Sequence, residues 1–309
     1  MFLSYILFAT GFILVVKGAD YLISGSSGFS KSFGINPLFI GLTVVAFGTS
    51  LPEFVVSMID SLGDSKGIAL GNIVGSNIAN IALILGFVAI LKPIDVQKRV
   101  YNRDMPIVLF VSFVFYMMML DGQIGRLDGL ILVVFFIFYI LYIYRKAKVG
   151  EEDLDEPDDV EVDNTKNTLK VIGGLVALYF GADMLISNAS EIARNLGISE
   201  LIIGLTMVAV GTSLPELVTT LQALRKNEHD IGVGGIVGSN IFNVLFVIGI
   251  VTLITPINVD QITISQHGPF MLAIAILFYP LTFVAKRIER WAGVIFLSLY
   301  LGYTVYNFV

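Results

Sequence analysis

Two glutamates stand in the middle of long apolar segments, each next to a pair of hydroxyl side chains. Glu53 and Glu216 each close the sequence Gly-Thr-Ser-Leu-Pro-Glu, at residues 48–53 and 211–216. A charged side chain at a bilayer centre costs about 2.5 to 3.5 kcal/mol on insertion scales, so an acid at that depth is functional by default. A single buried glutamate can instead have a structural role, as a protonated side chain that is hydrogen-bonded to a neighbouring helix. Two acids at matching positions make this structural interpretation less favoured.

A proline precedes each glutamate by one residue. Pro52 and Pro215 lack an amide hydrogen, and their rings crowd the carbonyl groups four residues earlier, at Gly48 and Gly211. The helix is therefore predicted to break or kink just before the acid. Carbonyl groups freed at membrane depth need a partner, and a cation is one. Four hydroxyls nearby can add neutral oxygen ligands or bond back to their own helices; they belong to Thr49, Ser50, Thr212 and Ser213.

A second motif, Gly-Ser-Asn, also occurs twice. It is preceded by small-xxx-small pairs that let another backbone approach closely, namely Gly71 with Gly75 and Gly234 with Gly238. A hydroxyl and an amide then share one helical face at four-residue spacing, as Ser76 with Asn80 and Ser239 with Asn243. We expect this face to turn toward the carboxylates. Asn77 and Asn240 point elsewhere and are interpreted as capping or bridging residues.

All of these candidate ligands are hard oxygen atoms. Carboxylates, carbonyls, hydroxyls and amides suit calcium or sodium, whereas magnesium gives up water reluctantly and zinc or copper prefers nitrogen and sulfur. The chain has no cysteine, which excludes disulfides, thiolate metal sites and a cysteine nucleophile. The sequence indicates no resident cofactor.

The elements that carry these motifs are predicted to be membrane helices. The 309 residues are 56% hydrophobic and 14% charged, whereas soluble domains have about 25% charged residues. A bilayer core needs about 20 apolar residues per helix. Ten such runs occur, at residues 2–22, 37–59, 68–91, 105–120, 128–144, 168–187, 200–223, 231–254, 268–285 and 291–308.

The positive charges indicate how these ten spans are oriented, because cytoplasmic loops retain Lys and Arg. With both termini outside the cell, sixteen of the nineteen basic residues fall on the inner side. Only Lys66, Arg126 and Arg194 remain outside. The expected location is the plasma membrane, with both termini extracellular.

The two halves of the chain are copies of each other. Residues of both motifs recur at an offset of 163, and so do Pro93 with Pro256 and Pro106 with Pro269. Five spans per half is an odd number, so the second copy must enter the membrane from the opposite side. Inverted repeats with broken helices at their interface are typical of secondary transporters, and this feature favours a transporter over a channel.

The predicted domains are a first five-helix repeat (1–146), an acidic cytoplasmic linker (147–167) and a second, inverted five-helix repeat (168–309). Nine acids between Glu151 and Asp163 account for the negative net charge, since the chain has a net charge of −6 with them and +3 without them. So few apolar residues cannot pack, which favours a flexible linker. The expected partners are ions and the lipid bilayer, without nucleic acid or an obligate protein partner.

These residues resemble the sodium/calcium exchangers of the calcium/cation antiporter superfamily. Members of that superfamily carry two repeats of a Gly-Thr-Ser-Leu-Pro-Glu core followed by a Gly-Ser-Asn-x-x-Asn helix. The resemblance covers the whole chain and implies an all-α membrane protein of ten helices. It implies a calcium site on the Glu53 and Glu216 carboxylates with the carbonyls of Thr49 and Thr212. It also implies flanking sodium sites with Asn80 and Asn243 near the centre; these sites use the carbonyls of Ala46 and Ala209 and the hydroxyls of Ser50, Ser213, Ser76 and Ser239. Some members have Asp at one central amide position, whereas this chain has Asn at both.

The function implied is electrogenic exchange of Na⁺ for Ca²⁺ by alternating access, with the first helix of each repeat as the sliding element. A calcium/proton antiporter using the same glutamates is the alternative, although the Gly-Asn-x-x-Glu pattern usual in those proteins is absent after Gly71. A channel would not be expected to need two breaks of opposite orientation. An intramembrane hydrolase is disfavoured because Ser50 and Ser213 have no buried His or Lys as base, so no enzyme activity is expected.

Overall fold

The structure is a computed structural model that describes residues 2–63, 68–147, 163–196 and 209–308. Its helices are α1 (Phe2–Phe33), α2 (Pro37–Thr49), α3 (Leu51–Leu62), α4 (Ile68–Leu91), α5 (Val100–Met119), α6 (Arg126–Arg145), α7 (Asn164–Asn195), α8 (Ala209–Thr212), α9 (Leu214–Arg225), α10 (His229–Ile254), α11 (Gly268–Ala285, after the π turn Thr263–His267) and α12 (Arg290–Phe308). Four two-residue strands complete the fold: β1 (Ile94–Asp95), β2 (Gln123–Ile124), β3 (Ile257–Asn258) and β4 (Arg287–Ile288).

The protein is a multi-pass, helical membrane protein. Within the described residues, seven helices are long and apolar enough to cross a bilayer, and the pair α2 and α3 forms an eighth, bent span. The predicted span 291–308 corresponds to α12. The predicted span 200–223 ends in α8 and α9, and its residues 200–208 lie outside the described residues. The predicted ten-helix inverted repeat is consistent with this arrangement.

Two antiparallel strand pairs mark the opposite ends of the helical bundle. Ile94 pairs with Ile288 between β1 and β4, and Ile124 pairs with Ile257 between β2 and β3. Six predicted spans separate β1 from β4, and four separate β2 from β3. Two strands can pair on one side of a membrane only if an even number of spans separates them, so both counts agree with the observed pairing. We refer to these as the β1/β4 end and the β2/β3 end.

The first helices of the two repeats, α1 and α7, pack antiparallel along their length. Each has 32 residues, about 48 Å at 1.5 Å per residue, and so extends beyond the predicted spans 2–22 and 168–187. The extension has a packing reason, since Gly25 and Gly28 at the end of α1 lie against Asn167 at the start of α7. The carboxylate of Asp163 accepts from the Lys166 amide (3.1 Å) and caps α7, so the last four residues of the predicted linker are helical.

The helices α4 and α10, which carry the Gly-Ser-Asn motifs, form the centre of the bundle. They are the most buried of the candidate spans, and their side chains Ile73 and Ile241 are fully buried in the larger of two hydrophobic clusters. The smaller cluster lies mainly between α1 and α7 and includes Val15, Leu22 and Leu178. The pair α1 and α7 therefore has a core largely of its own.

Candidate cation-binding site

Both helices that carry the glutamates are interrupted at the serine before the proline. The helix α2 ends at Thr49 and α3 begins at Leu51, with Ser50 at φ −84° and ψ 2°. Ser213 has nearly the same backbone angles between α8 and α9, and α2 and α3 meet at a bend of 42°. The predicted break before each proline is therefore confirmed, and it places Glu53 and Glu216 in the first turn of a new helix, where the helix dipole favours a negative charge.

Each break packs against the Gly-Ser-Asn helix of the opposite repeat. The end of α2 contacts α10, and α8 contacts α4. A Cβ atom built on Gly234 would lie 2.8 Å from the carbonyl oxygen of Leu38, and one on Gly238 would lie 2.7 Å from that of Leu42, so the second glycine pair allows the close approach that we expected. A Cβ atom built on Gly71 or Gly75 would lie within 4 Å of no described atom, so the described residues do not test the close approach expected at the first glycine pair.

The two carboxyl groups lie near each other in the interior of the protein. Glu53 and Glu216 are each only 1% exposed, and they are close enough for their charges to interact. The Ser76 hydroxyl donates to Oε1 of Glu53 at 3.3 Å, while the Thr49 hydroxyl faces the Glu216 carboxyl. One acid from each repeat thus contributes to a single buried locus.

Thr49 also lies close to two other predicted ligands. The hydroxyls of Thr49 and Ser239 lie 3.3 Å apart. Both hydroxyls also lie 3.5 Å from the carbonyl oxygen of Ala46, so this carbonyl interacts only weakly with each. The three oxygens belong to two different repeats and lie together at the first break.

Several buried oxygen atoms of the predicted site receive no hydrogen bond from any described residue. Such acceptors are rare in protein interiors, and a dehydrated cation with six to eight oxygen ligands is a partner that would satisfy them. They are Oγ of Ser50 and Ser213, Oε2 of Glu53, both carboxylate oxygens of Glu216, and Oδ1 of Asn80 and Asn243. Their chemistry fits Na⁺ and Ca²⁺ as transported substrates.

The last two predicted ligands are the two ends of α8. Ala209 begins this short helix and Thr212 ends it. Thr212 is half-buried and makes no hydrogen bond to the other predicted ligands in the described part of the chain. The described residues also contain no group of three or more His, Asp or Glu that could hold a metal, so a cation site here combines two carboxylates with neutral oxygens.

The two central amides lie in irregular turns that sequence reasoning did not predict. Asn80 is the second residue of a π turn (Ala79–Leu85), and Asn243 begins the equivalent π turn (Asn243–Ile248). Single π turns within α-helices frequently occur at functional sites. Residues 80 and 243 lack any proline or glycine signal of the kind that marked the breaks at Ser50 and Ser213.

Asn72 was also missed as a residue that supports the site. Its amide donates to the carbonyl oxygen of Glu53 (3.4 Å) and to the hydroxyl of Ser57 (3.3 Å). Its spacing of four residues from Ser76 places both side chains on one helical face, which was the available signal. The repeat offset pairs Asn72 with Gly235, so this support exists in one repeat only.

A cluster of phenylalanine rings covers one side of the first break. Phe47 and Phe54, on either side of it, lie 5.8 and 5.4 Å from the ring of Phe246, and Phe136 contacts Phe242 at 4.9 Å. Apolar walls lower the local dielectric constant, which strengthens electrostatic interactions inside the site.

Comparison with known proteins gives matches along the whole chain. The model of a family described as "Sodium/calcium exchanger protein" matches residues 3–145 and 166–309. The chain is 40% identical to the inner membrane protein YrbG of Escherichia coli (strain K12), over 90% of this chain and 88% of YrbG. It is 30% identical to the sodium/calcium exchanger MaX1 of Methanosarcina acetivorans, over 99% of this chain and 98% of MaX1.

Solved structures of one protein also match. Structures described as the sodium-calcium exchanger NCX_Mj, soaked with different concentrations of Na⁺, Ca²⁺ or Sr²⁺, superimpose with a TM-score of 0.84. The sequence identity to the first of these is 31%, and the match covers 97% of each chain.

Proposed function

This chain belongs to the sodium/calcium exchanger family, and on that premise we propose that it exchanges Na⁺ for Ca²⁺ at the buried locus of Glu53 and Glu216. The observation that carries the proposal is the set of buried, unpaired oxygen atoms around two carboxylates from opposite repeats. The proposed ligands are the twelve predicted residues: Glu53, Glu216, Thr49, Thr212, Ser50, Ser213, Ala46, Ala209, Ser76, Ser239, Asn80 and Asn243.

Charge balance would make exchange obligatory. When both are ionised, the two glutamates together carry a charge of −2, which one Ca²⁺ or two Na⁺ neutralise. A carrier without a bound cation would have to take uncompensated charge through a low-dielectric barrier, which costs several kcal/mol per ion. If three Na⁺ exchange for one Ca²⁺, as the family resemblance implies, each cycle moves one net charge, worth about 2.3 kcal/mol per 100 mV, and sodium influx would drive calcium out.

We place the protein in the plasma membrane with its β1/β4 end in the cytoplasm. Lys92, Lys226 and Arg287 lie at this end, which agrees with the tendency of cytoplasmic loops to retain positive charge. The two inverted repeats (1–146 and 168–309), the connecting linker (147–167) and two extracellular termini complete the proposed topology. Its partners are the two cations and the lipid bilayer, and it acts as a transporter, not as an enzyme.

The coupling ion distinguishes this function from its nearest alternative, calcium/proton exchange, which the family does not favour. In proteoliposomes loaded with Na⁺, we expect an outward Na⁺ gradient to drive ⁴⁵Ca²⁺ uptake, whereas a pH gradient of equal free energy should drive almost none. Liposomes without protein and liposomes with equal Na⁺ on both sides are the controls. Uptake driven by the pH gradient alone would make the protein a proton exchanger, and calcium conductance without any counter-ion would make it a channel.

We propose that α1 and α7 slide together across the rest of the bundle. The two helices pack glycine against backbone: a Cβ atom on Gly18 would lie 2.8 Å from the carbonyl oxygen of Gly174, and one on Gly181 would lie 3.0 Å from that of Gly11. Small residues let two helices approach this closely, which supports movement of the pair as one body. Their separate hydrophobic cluster supports movement as a unit relative to α4 and α10.

Contacts at the two ends of this sliding pair are unequal. At the β1/β4 end, Lys226 forms a 2.8 Å ion pair with Asp20 and a hydrogen bond to Ser24, and Ser27 donates to Glu228. The repeat counterpart of Asp20 is Asp183, which is exposed and forms no ion pair with another described residue. The helix α1 packs on α9, whereas α7 scarcely touches α3. This asymmetry supports a conformation that is closed on the cytoplasmic side.

A reversible link across these contacts tests the sliding movement. The protein has no native cysteine, so Ser27→Cys with Glu228→Cys provides one defined pair for a short bis-methanethiosulfonate reagent, which forms a reducible disulfide with each cysteine and releases methanesulfinate. We expect bridging to lower Na⁺-driven Ca²⁺ uptake to background and reduction to restore it, because α1 must leave α9 and α10 in each cycle. The single-cysteine variants treated with the same reagent are the controls. Normal uptake with the bridge intact would contradict sliding of α1.

A further inference from the structure

Asn77 lies outside the proposed ligand set, yet it joins the Gly-Ser-Asn helices of the two repeats. Its amide nitrogen donates to the backbone carbonyl of Asn240 at 3.3 Å, and its carbonyl oxygen accepts from the amide nitrogen of Asn243 at 3.1 Å. All three residues are at most 4% exposed. We propose that Asn77 is a positioning residue that turns the carbonyl oxygen of Asn243 toward the transported cation. This inference rests on the proposed function.

The orientation of these amides follows from one backbone group. The carbonyl oxygen of Asn240 can only accept a hydrogen bond, so Asn77 must present its nitrogen there. The oxygen of Asn77 then faces Asn243, which must in turn present its own nitrogen. The remaining atom, Oδ1 of Asn243, is left buried and receives no hydrogen bond from any described residue.

Orientation matters because the two ends of an amide have opposite polarity. The oxygen of Asn243 can coordinate Na⁺ or Ca²⁺, whereas its NH₂ group would repel either cation. The two ends have nearly the same size, so packing alone does not choose between them. Turning Asn243 around would lose the bond to Asn77 and would set two carbonyl oxygens against each other in a buried place.

The two repeats differ at this point. Asn240, the counterpart of Asn77, donates its amide to the carbonyl oxygen of Ile236 in its own helix, at 2.9 Å. Neither polar side-chain atom of Asn80 is hydrogen-bonded to Asn240 or to any other described residue. The protein therefore fixes one central amide in advance and leaves the other for the cation to orient.

The matched variants Asn77→Ala and Asn240→Ala test this role. Both remove a buried asparagine side chain at equivalent positions of the repeat, and the second leaves the backbone carbonyl of Asn240 in place. In Na⁺-driven ⁴⁵Ca²⁺ uptake, we expect Asn77→Ala to raise the KM for Ca²⁺ about tenfold, which corresponds to about 1.4 kcal/mol. The maximal rate should change less, and Asn240→Ala should stay within about twofold of the wild type in both.

A double-mutant cycle separates positioning from a general packing role. The carboxylate of an Asn243→Asp variant has two equivalent oxygens and needs no such orientation, so adding Asn77→Ala should then have much less effect on the KM. A merely structural role gives the same effect in both backgrounds.

Thermal unfolding in the presence of Ca²⁺ measures cation binding even in variants that do not transport. Saturating Ca²⁺ should raise the unfolding temperature of the wild type and of Asn240→Ala, and raise that of Asn77→Ala clearly less. Equal behaviour of the two alanine variants, with a wild type that exchanges normally, would overturn the positioning role. A wild type without Na⁺-driven uptake would instead refute the proposed function.

Discussion

Replacing either Glu53 or Glu216 with Gln should abolish Na⁺-driven Ca²⁺ exchange. Each substitution keeps the shape of the side chain and removes one of the two negative charges at the site. Leaving a buried charge without its partner costs about 3 to 5 kcal/mol, so the affinity for Ca²⁺ should fall by more than about 100-fold. Uptake of ⁴⁵Ca²⁺ into proteoliposomes, measured over a range of Ca²⁺ concentrations, gives both the KM and the maximal rate.

The variant Glu191→Gln is the matched control for this experiment. Glu191 is an exposed acid near the end of α7, so the same chemical change there should leave exchange within about twofold of the wild type. Substantial flux in Glu53→Gln or Glu216→Gln would contradict the assignment of the site. Equal loss in all three variants would point to a general effect of charge on folding or insertion.

A bulky side chain at Gly174 should also slow exchange strongly, by forcing α1 and α7 apart. A Cβ atom at this position would lie 2.7 Å from the carbonyl oxygen of Gly18 and from the backbone nitrogen of Leu22, and neither backbone atom can move without shifting the helix. We expect Gly174→Leu to lower the exchange rate more than about tenfold and to lower the unfolding temperature, since overpacking typically costs about 1 to 3 kcal/mol.

The neighbouring glycine provides the control within the same helix turn. A Cβ atom on Gly173 meets no described atom, so Gly173→Leu should fold and exchange like the wild type. It should be slightly more stable than the wild type, because leucine favours a helix over glycine. Normal exchange by Gly174→Leu would show that the close approach of α1 and α7 is not required, and equal damage at Gly173 would show that the effect is not specific to their contact.

The sequence determined the features that depend on neighbouring residues or on repetition. Long apolar runs require membrane helices, and an odd number of spans per copy requires the second repeat to be inverted. Pro52 and Pro215 predicted the breaks now seen at Ser50 and Ser213, because a proline disrupts the helix through local geometry alone. Glu53 and Glu216 stood out for an equally local reason, since an acid within an apolar run is costly.

The tertiary structure decided how the two copies differ. Identical motifs predicted equivalent contacts, yet Ser76 donates a hydrogen bond to Glu53 whereas Ser239 lies beside Thr49. Likewise, Asn77 donates to a residue of the other repeat whereas Asn240 donates within its own helix. Such contacts depend on where two segments 163 residues apart come to lie, which no local pattern encodes. The asymmetry agrees with the proposed conformation, because a transporter that is closed at one end holds its two similar halves in different conformations.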